Sequence, residues 1–409
     1  MSDSFYLKCS ECTSTWELNC GHSVCPTCST LRQPGEPLRG VFEIQIHENH
    51  LPKLAKPQSL QDTRELAPLL PIRDISSFPE LAMPVSPLYP ANPTWKSSHQ
   101  LLLKDDTRQP TGSYKDRASQ LVVANALERN CDTICAASTG NAGSSLAGMA
   151  AAAGLRSVVL VPASAPAAKL TQTVAFGALL LPVDGSYDDA FELSLLLEQE
   201  TGWINRNTAW NPYTIEGKKT AAIEIAYQLG WKVPDVLFVP AGDGVIISGL
   251  YKGFSDCLRL GWTDRMPRLI AVQAEGSSVI VDSLQDPAIR QLPGSHTIAD
   301  SICVDAPRNL DMALRAIHDT GGAGVKVSDA EIMTAVSEMA QLTGVFAEPA
   351  AAAAWAGARK WLQQETEPLT AVLMITGSGL KAADRIGVHI DLPESVSADL
   401  DSIMARINF

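Results

Sequence analysis

The sequence predicts an α/β chain of two lobes, with parallel sheets covered on both faces by helices, behind a small cysteine-rich module. Three observations carry this expectation. The chain has 409 residues and 45% hydrophobic content, enough apolar material for two or three cores. From about residue 98 onward, short and nearly continuous apolar runs alternate with segments of helical length, the pattern of doubly covered strands joined by crossover helices. Residues 1–40 are instead polar and hold two Cys-x-x-Cys pairs.

Taken in order, residues 1–40 form a candidate metal module. Cys9-Ser-Glu-Cys12 and Cys25-Pro-Thr-Cys28 are knuckles separated by residues 13–24, and four thiolates so spaced match a closed, structural zinc site. A polar module of about 30 residues buries too little apolar surface to fold without such a staple. Cys20 and His22, between the knuckles, are alternative ligands. Residues 41–97 are dotted with Pro52, Pro57, Pro68, Pro71, Pro79, Pro84, Pro87, Pro90 and Pro93. Proline fixes φ and removes a donor, so this stretch is expected as extended connections against the lobes, not as a domain.

Residues 98–390 carry the two lobes, with a smaller lobe inserted at about 130–210. Strands are predicted at 133–137, 157–161, 178–183, 236–239, 268–273 and 371–375. Helices are predicted at 116–129, 142–153, 187–200, 217–229, 246–260, 328–342 and 349–363, the last opening on Pro349, whose missing N–H costs nothing in a first turn. Residues 391–409 read as a short terminal segment. A ligand cleft is expected between the lobes, at the carboxyl ends of the strands.

Composition narrows the function. Lys and Arg number 32 against 45 Asp and Glu, a net charge of −13, which disfavours a nucleic-acid partner. No run approaches the ~20 apolar residues of a membrane span, and the start MSDSFYLKCSEC has no basic-then-apolar leader. The expectation is therefore cytoplasmic, with no membrane partner. Nine cysteines in a reducing compartment argue for metal, and Cys20, Cys131, Cys135, Cys257 and Cys303 are expected mostly as core thiols.

Four glycine-containing motifs fall at predicted strand ends or helix starts. Pro110-Thr111-Gly112-Ser113-Tyr114-Lys115-Asp116-Arg117 delivers a lysine at a helix N-terminus, where positive dipole ends depress an amine's pKa and suit it to Schiff-base chemistry. Ala137-Ser138-Thr139-Gly140-Asn141-Ala142-Gly143 follows a strand with small residues that let a ligand approach the backbone. Val239-Pro240-Ala241-Gly242-Asp243-Gly244-Val245-Ile246 resembles a phosphate cradle, and is neither a Walker loop nor a dinucleotide fingerprint. Ile375-Thr376-Gly377-Ser378-Gly379-Leu380-Lys381 offers a hydroxyl to a ring nitrogen, or simply a helix cap.

Together and in this order, the four motifs resemble those of the fold-type II pyridoxal-phosphate enzymes, the threonine synthase group above all. Residues 210–220, Trp-Asn-Pro-Tyr-Thr-Ile-Glu-Gly-Lys-Lys-Thr, are similar to that group's N-P-Y-R-I-E-G-Q-K-T stretch. The resemblance implies the two-lobed fold-type II architecture, a zinc-ribbon-like N-terminal module and a homodimer. It implies that Lys115 holds the cofactor as an internal aldimine and that Asn141 contacts the ring oxygen. It also assigns the cofactor phosphate to Gly242, Asp243, Gly244, Val245 and Ile246, and the pyridine nitrogen to Thr376. Ser138, Thr139 and Asn141 would hold the carboxylate of a small amino-acid substrate. Cys9, Cys12, Cys25 and Cys28 would hold Zn2+.

The implied reaction is conversion of O-phosphohomoserine and water to threonine and phosphate, with Lys115 as general base. Three departures bear on substrate. The group's arginine is Thr214, its asparagine in the phosphate turn is Asp243, and residues 296–302 diverge, bringing Asp300 near a substrate. Two alternatives stand beside this reading: β-elimination or β-replacement on serine, threonine or an O-activated serine, and a non-catalytic ligand- or partner-binding protein.

Overall fold

Six strands assemble the larger sheet and four the smaller one, and the central strands, apolar on both faces, must be covered twice. The computed structural model describes residues 4–33, 35–96, 98–390 and 394–407. At the front, β1 (Phe5–Cys9) pairs antiparallel with β2 (Thr15–Glu17), the short helix α1 (Pro26–Ser29) follows, and β3 (Phe42–Ile46) pairs with the other edge of β1. The module's sheet therefore runs past residue 40 and takes its third strand from the segment beyond.

That segment, as far as residue 96, forms no sheet of its own. Its Leu60, Leu66, Leu69, Leu70, Ile72, Phe78 and Met83 are buried in one core with Phe5, Leu7, Phe42 and Leu121. The proline-dotted stretch is thus a strap whose apolar residues fasten the module to the lobes.

Next come β4 (Leu88–Ala91) and β5 (Gln100–Asp105), then α2 (Lys115–Glu128). The smaller sheet takes β6 (Thr133–Ala137), β7 (Arg156–Pro162), β8 (Leu179–Val183) and β9 (Ile204–Asn205), in the order β8-β7-β6-β9, all parallel. Its connections are α3 (Asn141–Ala152), α4 (Ala167–Ala175) and α5 (Tyr187–Thr201). The chain returns through α6 (Tyr213–Gln228), β10 (Val236–Pro240), α7 (Val245–Arg259), β11 (Arg268–Ala274), α8 (Val279–Gln285), α9 (Leu310–Asp319) and β12 (Ala323–Val327). It closes with α10 (Asp329–Thr343), α11 (Pro349–Leu362), β13 (Thr370–Ile375), α12 (Ala383–Gly387) and α13 (Leu400–Arg406).

The larger sheet has the order β12-β11-β10-β13-β5-β4 and is parallel except for the edge strand β4. Phe238 and Val272 are fully buried at its centre, each contributing roughly 1.5–3 kcal/mol. Pro349 does open α11, whose alanines lie flat enough for Trp355 to bury completely and meet Trp95 edge-on at 5.2 Å.

Three helices close on one another through glycines. A Cβ on Gly217 would lie 2.1 Å from the Arg117 carbonyl oxygen, one on Gly249 2.6 Å from Lys218 Cβ, and one on Gly253 2.3 Å from the Lys219 carbonyl oxygen. α2, α6 and α7 therefore touch backbone to backbone.

All six expected strands and seven expected helices are present; within residues 98–390, β5, β9, β12, α4, α8, α9 and α12 add to them. Core thiols are fewer than expected: Cys135 and Cys257 are buried, whereas Cys20, Cys131 and Cys303 are half-buried. Among the described residues no helix is long and apolar enough to cross a membrane. Of the terminal segment, residues 391–393 and 408–409 lie outside those described.

Candidate active site

A cavity of about 510 Å3 opens between the two sheets, within the usual range for small-ligand sites. Lys115, Ser138, Thr139, Asn141, the turn Gly242–Asp243–Gly244–Val245–Ile246, Asp300 and Thr376 all line it. Four separate motifs converge there because each ends a strand on the same side or starts the helix that follows it.

Lys115 is the first residue of α2, and its neighbour Tyr114 is buried with its phenol donating to the Lys218 carbonyl at 2.6 Å. The Tyr114 N–H donates to the Thr376 carbonyl at 2.9 Å, tying the lysine turn to the last motif. Burial first, and Arg206 after it, push the Lys115 ammonium below its ordinary value, with Glu348 and Asp243 pulling the other way. The direction agrees with the sequence reading, but desolvation and not the helix terminus leads.

At the head of α3, the Ser138 hydroxyl accepts the N–H groups of Gly143 at 3.0 Å and Gly140 at 3.3 Å. It is occupied in shaping the turn, so the open groups there are Thr139 and the helix-start backbone. Asn141 donates through Nδ2 to both oxygens of Glu348, at 2.9 and 3.0 Å. Glu348 is the cap residue of α11, and burial raises its pKa. Sequence reading missed it, although a lone acid directly before Pro349, ahead of a run of alanines, was a legible sign.

Gly244 caps α7 with φ of +81° and no side-chain cap, so the first-turn N–H groups stay open to an anion. A Cβ on Gly242 would meet Ile302 Cα at 2.9 Å, and one on Gly244 would meet Ala313 Cβ at 2.7 Å. The cradle therefore requires both glycines. Asp243 points its Oδ1 at the Arg308 N–H, 3.0 Å away, which removes the apparent conflict between a carboxylate and a phosphate turn. These features fit a phosphorylated ring cofactor whose aldehyde meets a lysine. Asp300 pairs with Lys169 and with Arg385, the latter at 3.6 Å, and so links α4 to the C-terminal side of the cavity mouth.

Thr214 is fully buried and its hydroxyl donates to the Asn211 carbonyl at 2.7 Å. It offers the cavity nothing. The cations that do line the wall are Arg206, Lys218 and Arg308. Arg308 pairs with Asp188 and donates to the Glu36 carbonyl at 3.3 Å, joining the N-terminal module to the wall.

In that module Cys9 Sγ lies 3.8 Å from Cys28 Sγ, and Cys12 Sγ 3.8 Å from Cys25 Sγ. All four sulfurs fall within 4.8 Å of one another. A tetrahedral ion with metal–sulfur bonds of about 2.3 Å sets sulfur–sulfur edges of about 3.8 Å, so the donor set fits such an ion. Cys20 and His22 stand outside the four; the Cys20 thiol faces the His22 carbonyl and the His22 ring meets Trp16 edge-on.

Residues 81–377 match the family model of pyridoxal-phosphate-dependent enzymes. The threonine synthase of Methanosarcina acetivorans is 38% identical over 314 residues, 75% of this chain and 77% of the relative. That of Methanocaldococcus jannaschii is 35% identical over 345 residues, 83% and 85% of the two chains. The chain belongs to the pyridoxal-phosphate-dependent enzymes, in the threonine synthase family. Among solved structures, threonine deaminase isoform 2 of Solanum lycopersicum superposes with a TM-score of 0.63 at 21% identity, covering 73% of this chain and 86% of that one. Maize serine racemase gives 0.62 at 22%, covering 74% and 93%. These two share the fold of this pyridoxal-phosphate enzyme.

Proposed function

We propose that this pyridoxal-phosphate-dependent lyase converts O-phosphohomoserine and water to threonine and phosphate. The observation that carries the reading is the placement of Lys115, half-buried in the wall of a cavity that it shares with Asn141, the Gly242–Ile246 turn and Thr376. Lys115 holds the cofactor aldehyde, Gly242, Asp243, Gly244, Val245 and Ile246 hold its phosphate through backbone N–H groups, Asn141 meets the ring oxygen and Thr376 the ring nitrogen. When bound, the cofactor supplies an electron sink for the carbanion formed at the substrate α-carbon.

Lys115 Nζ, whose ammonium form desolvation disfavours, takes the α-proton as general base. The backbone at the head of α3, with Thr139, holds the substrate carboxylate. Glu348 fixes the Asn141 amide in one orientation. The test is phosphate release from O-phosphohomoserine with stoichiometric threonine, followed alongside the cofactor's visible absorption.

A second reading, β-elimination or β-replacement on serine, threonine or an O-activated serine, is favoured by Thr214, whose hydroxyl is tied to Asn211 and cannot replace the group's arginine. Ammonia and 2-oxoacid from unactivated serine or threonine, without phosphate release from O-phosphohomoserine, would establish it. The non-catalytic reading has no support beside a cavity-lining Lys115 in a family of enzymes.

Cys9, Cys12, Cys25 and Cys28 hold a structural Zn2+, because four protein thiolates leave no open position. One zinc per chain is expected by metal analysis, with loss of the metal and a lower melting temperature in Cys25→Ser; protein purified metal-free would end this assignment. We also read the protein as a cytoplasmic homodimer, which sedimentation at several concentrations checks.

A further inference from the structure

We propose that Arg206 and Lys218 form an anion subsite that receives the distal acidic group of the amino-acid substrate, a phosphate ester under the reading above, on which this inference rests. Both side chains line the cavity beside Lys115, and both residues are only 1% exposed. Their partners are neutral. Arg206 Nε donates to the Ser119 hydroxyl at 3.0 Å and Nη2 to the Lys115 carbonyl at 3.4 Å. Lys218 Nζ donates to the Thr208 hydroxyl at 3.2 Å.

Among the described residues, the other deeply buried cations behave differently. Arg117 pairs with Asp106 and Glu224, Lys104 with Glu224, Lys219 with Glu216 and Asp256, and Lys252 with Asp256. Burying a charge without a direct partner is strongly unfavourable; Asp243 and Asp116 pull on these two groups only from beyond ion-pair distance, so two basic groups with no direct ion pair in one cavity call for an anion that arrives with a ligand. Burial, reinforced by Arg206 and Lys115, drives the Lys218 ammonium well below its ordinary value, and burial brings Arg206 to about 10. A bound dianion would reverse both.

The sequence gives the same placement. Lys218 lies one turn beyond Thr214 on α6, and against the N-P-Y-R-I-E-G-Q-K-T pattern the positive charge absent at 214 reappears at 218. Arg206 adds a second cation from the end of β9. The pair suits a group that is multiply charged and small, such as a phosphate, since a guanidinium and an ammonium can each donate to a different oxygen.

A phosphate could also come from the cofactor, and the experiment separates the two sources. Holoenzyme and its Lys218→Gln and Lys218→Arg variants are compared for cofactor content by visible absorption, for KM and kcat with O-phosphohomoserine, and for the effect of inorganic phosphate on melting temperature. The expected result is full cofactor content in all three proteins and a rise in KM of roughly 10- to 100-fold in Lys218→Gln with little change in kcat. Lys218→Arg is expected to restore most of the KM. Inorganic phosphate should raise the melting temperature of the parent holoenzyme and of Lys218→Arg, and not of Lys218→Gln.

Loss of cofactor in Lys218→Gln would overturn the proposal by assigning the cations to the cofactor phosphate. An equal phosphate response in parent and Lys218→Gln, or none in the parent, would overturn it as well. Should the parent fail to turn over O-phosphohomoserine while still binding phosphate through Lys218, the reaction falls and the subsite stands.

Discussion

Two of the buried charge clusters on helix α6 differ in one respect. Near its C-terminal end, Glu224 sits among Arg117, Lys104, Asp106 and the Ser86 hydroxyl, each cation facing a carboxylate within 2.5–2.6 Å. A turn and a half earlier, Lys218 and its neighbour Arg206 face only hydroxyls and a carbonyl. Compensation marks the first as part of the frame; its absence marks the second as part of the site. The lesson is that a buried ion is informative chiefly through the partner it has or lacks.

Five expected outcomes break or sharpen that contrast, the largest first. Lys115→Ala is expected to lower turnover by roughly 10^4-fold or more and to abolish the lysine-bound absorption band; steady-state rates and the visible spectrum check it. Glu224→Gln removes the acid that two buried cations share and is expected to cost about 3–5 kcal/mol in urea unfolding.

The same carboxylate sets an acid limit. Burial alone would raise its pKa, but Arg117 and Lys104 hold it at about 2 against an ordinary 4.5. A depressed folded-state pKa means that this contribution is complete above about pH 4.5 and drains away as pH falls toward 2. Unfolding free energies measured through that range should fall less steeply in Glu224→Gln than in the parent.

Lys218→Gln provides the opposite case: it removes a buried basic group that has no carboxylate partner, so stability without ligand is expected to hold or rise slightly by the same urea assay. The smallest effect belongs to an exposed pair. Arg156 and Asp132 meet at 2.8 Å but their side chains are 69% and 73% exposed, and Asp132→Ala should change stability by less than about 0.5 kcal/mol.

How far the sequence could be read follows the same division. Lys115, Asn141, the Gly242–Ile246 turn and Thr376 belong to contiguous motifs at strand ends, where a few neighbouring residues set both backbone and exposure. Arg206 and Lys218 are unremarkable residues in sequence, because what makes them significant is the surroundings assembled from distant segments; Glu348 left only the local sign of a lone acid before Pro349. The fold shows a similar limit. β12, Ala-Gly-Val-Lys-Val, is half-buried and carries a glycine and a lysine, so its apolar signal is weak, and β5 holds only three leucines before it turns polar. The third strand of the module lies beyond residue 40 because pairing partners need not respect a change in composition.

The glycine contacts between α2, α6 and α7 have a consequence for what the enzyme can accept. With Gly217 against the Arg117 carbonyl and Gly249 against Lys218 Cβ, the separation of the backbones that carry Lys115 and Lys218 is set by helix contact. A longer or shorter substrate cannot be met by sliding the helices. It can be met only by a side chain of different reach at 206 or 218, which makes those two positions the place where related chains would retune chain length.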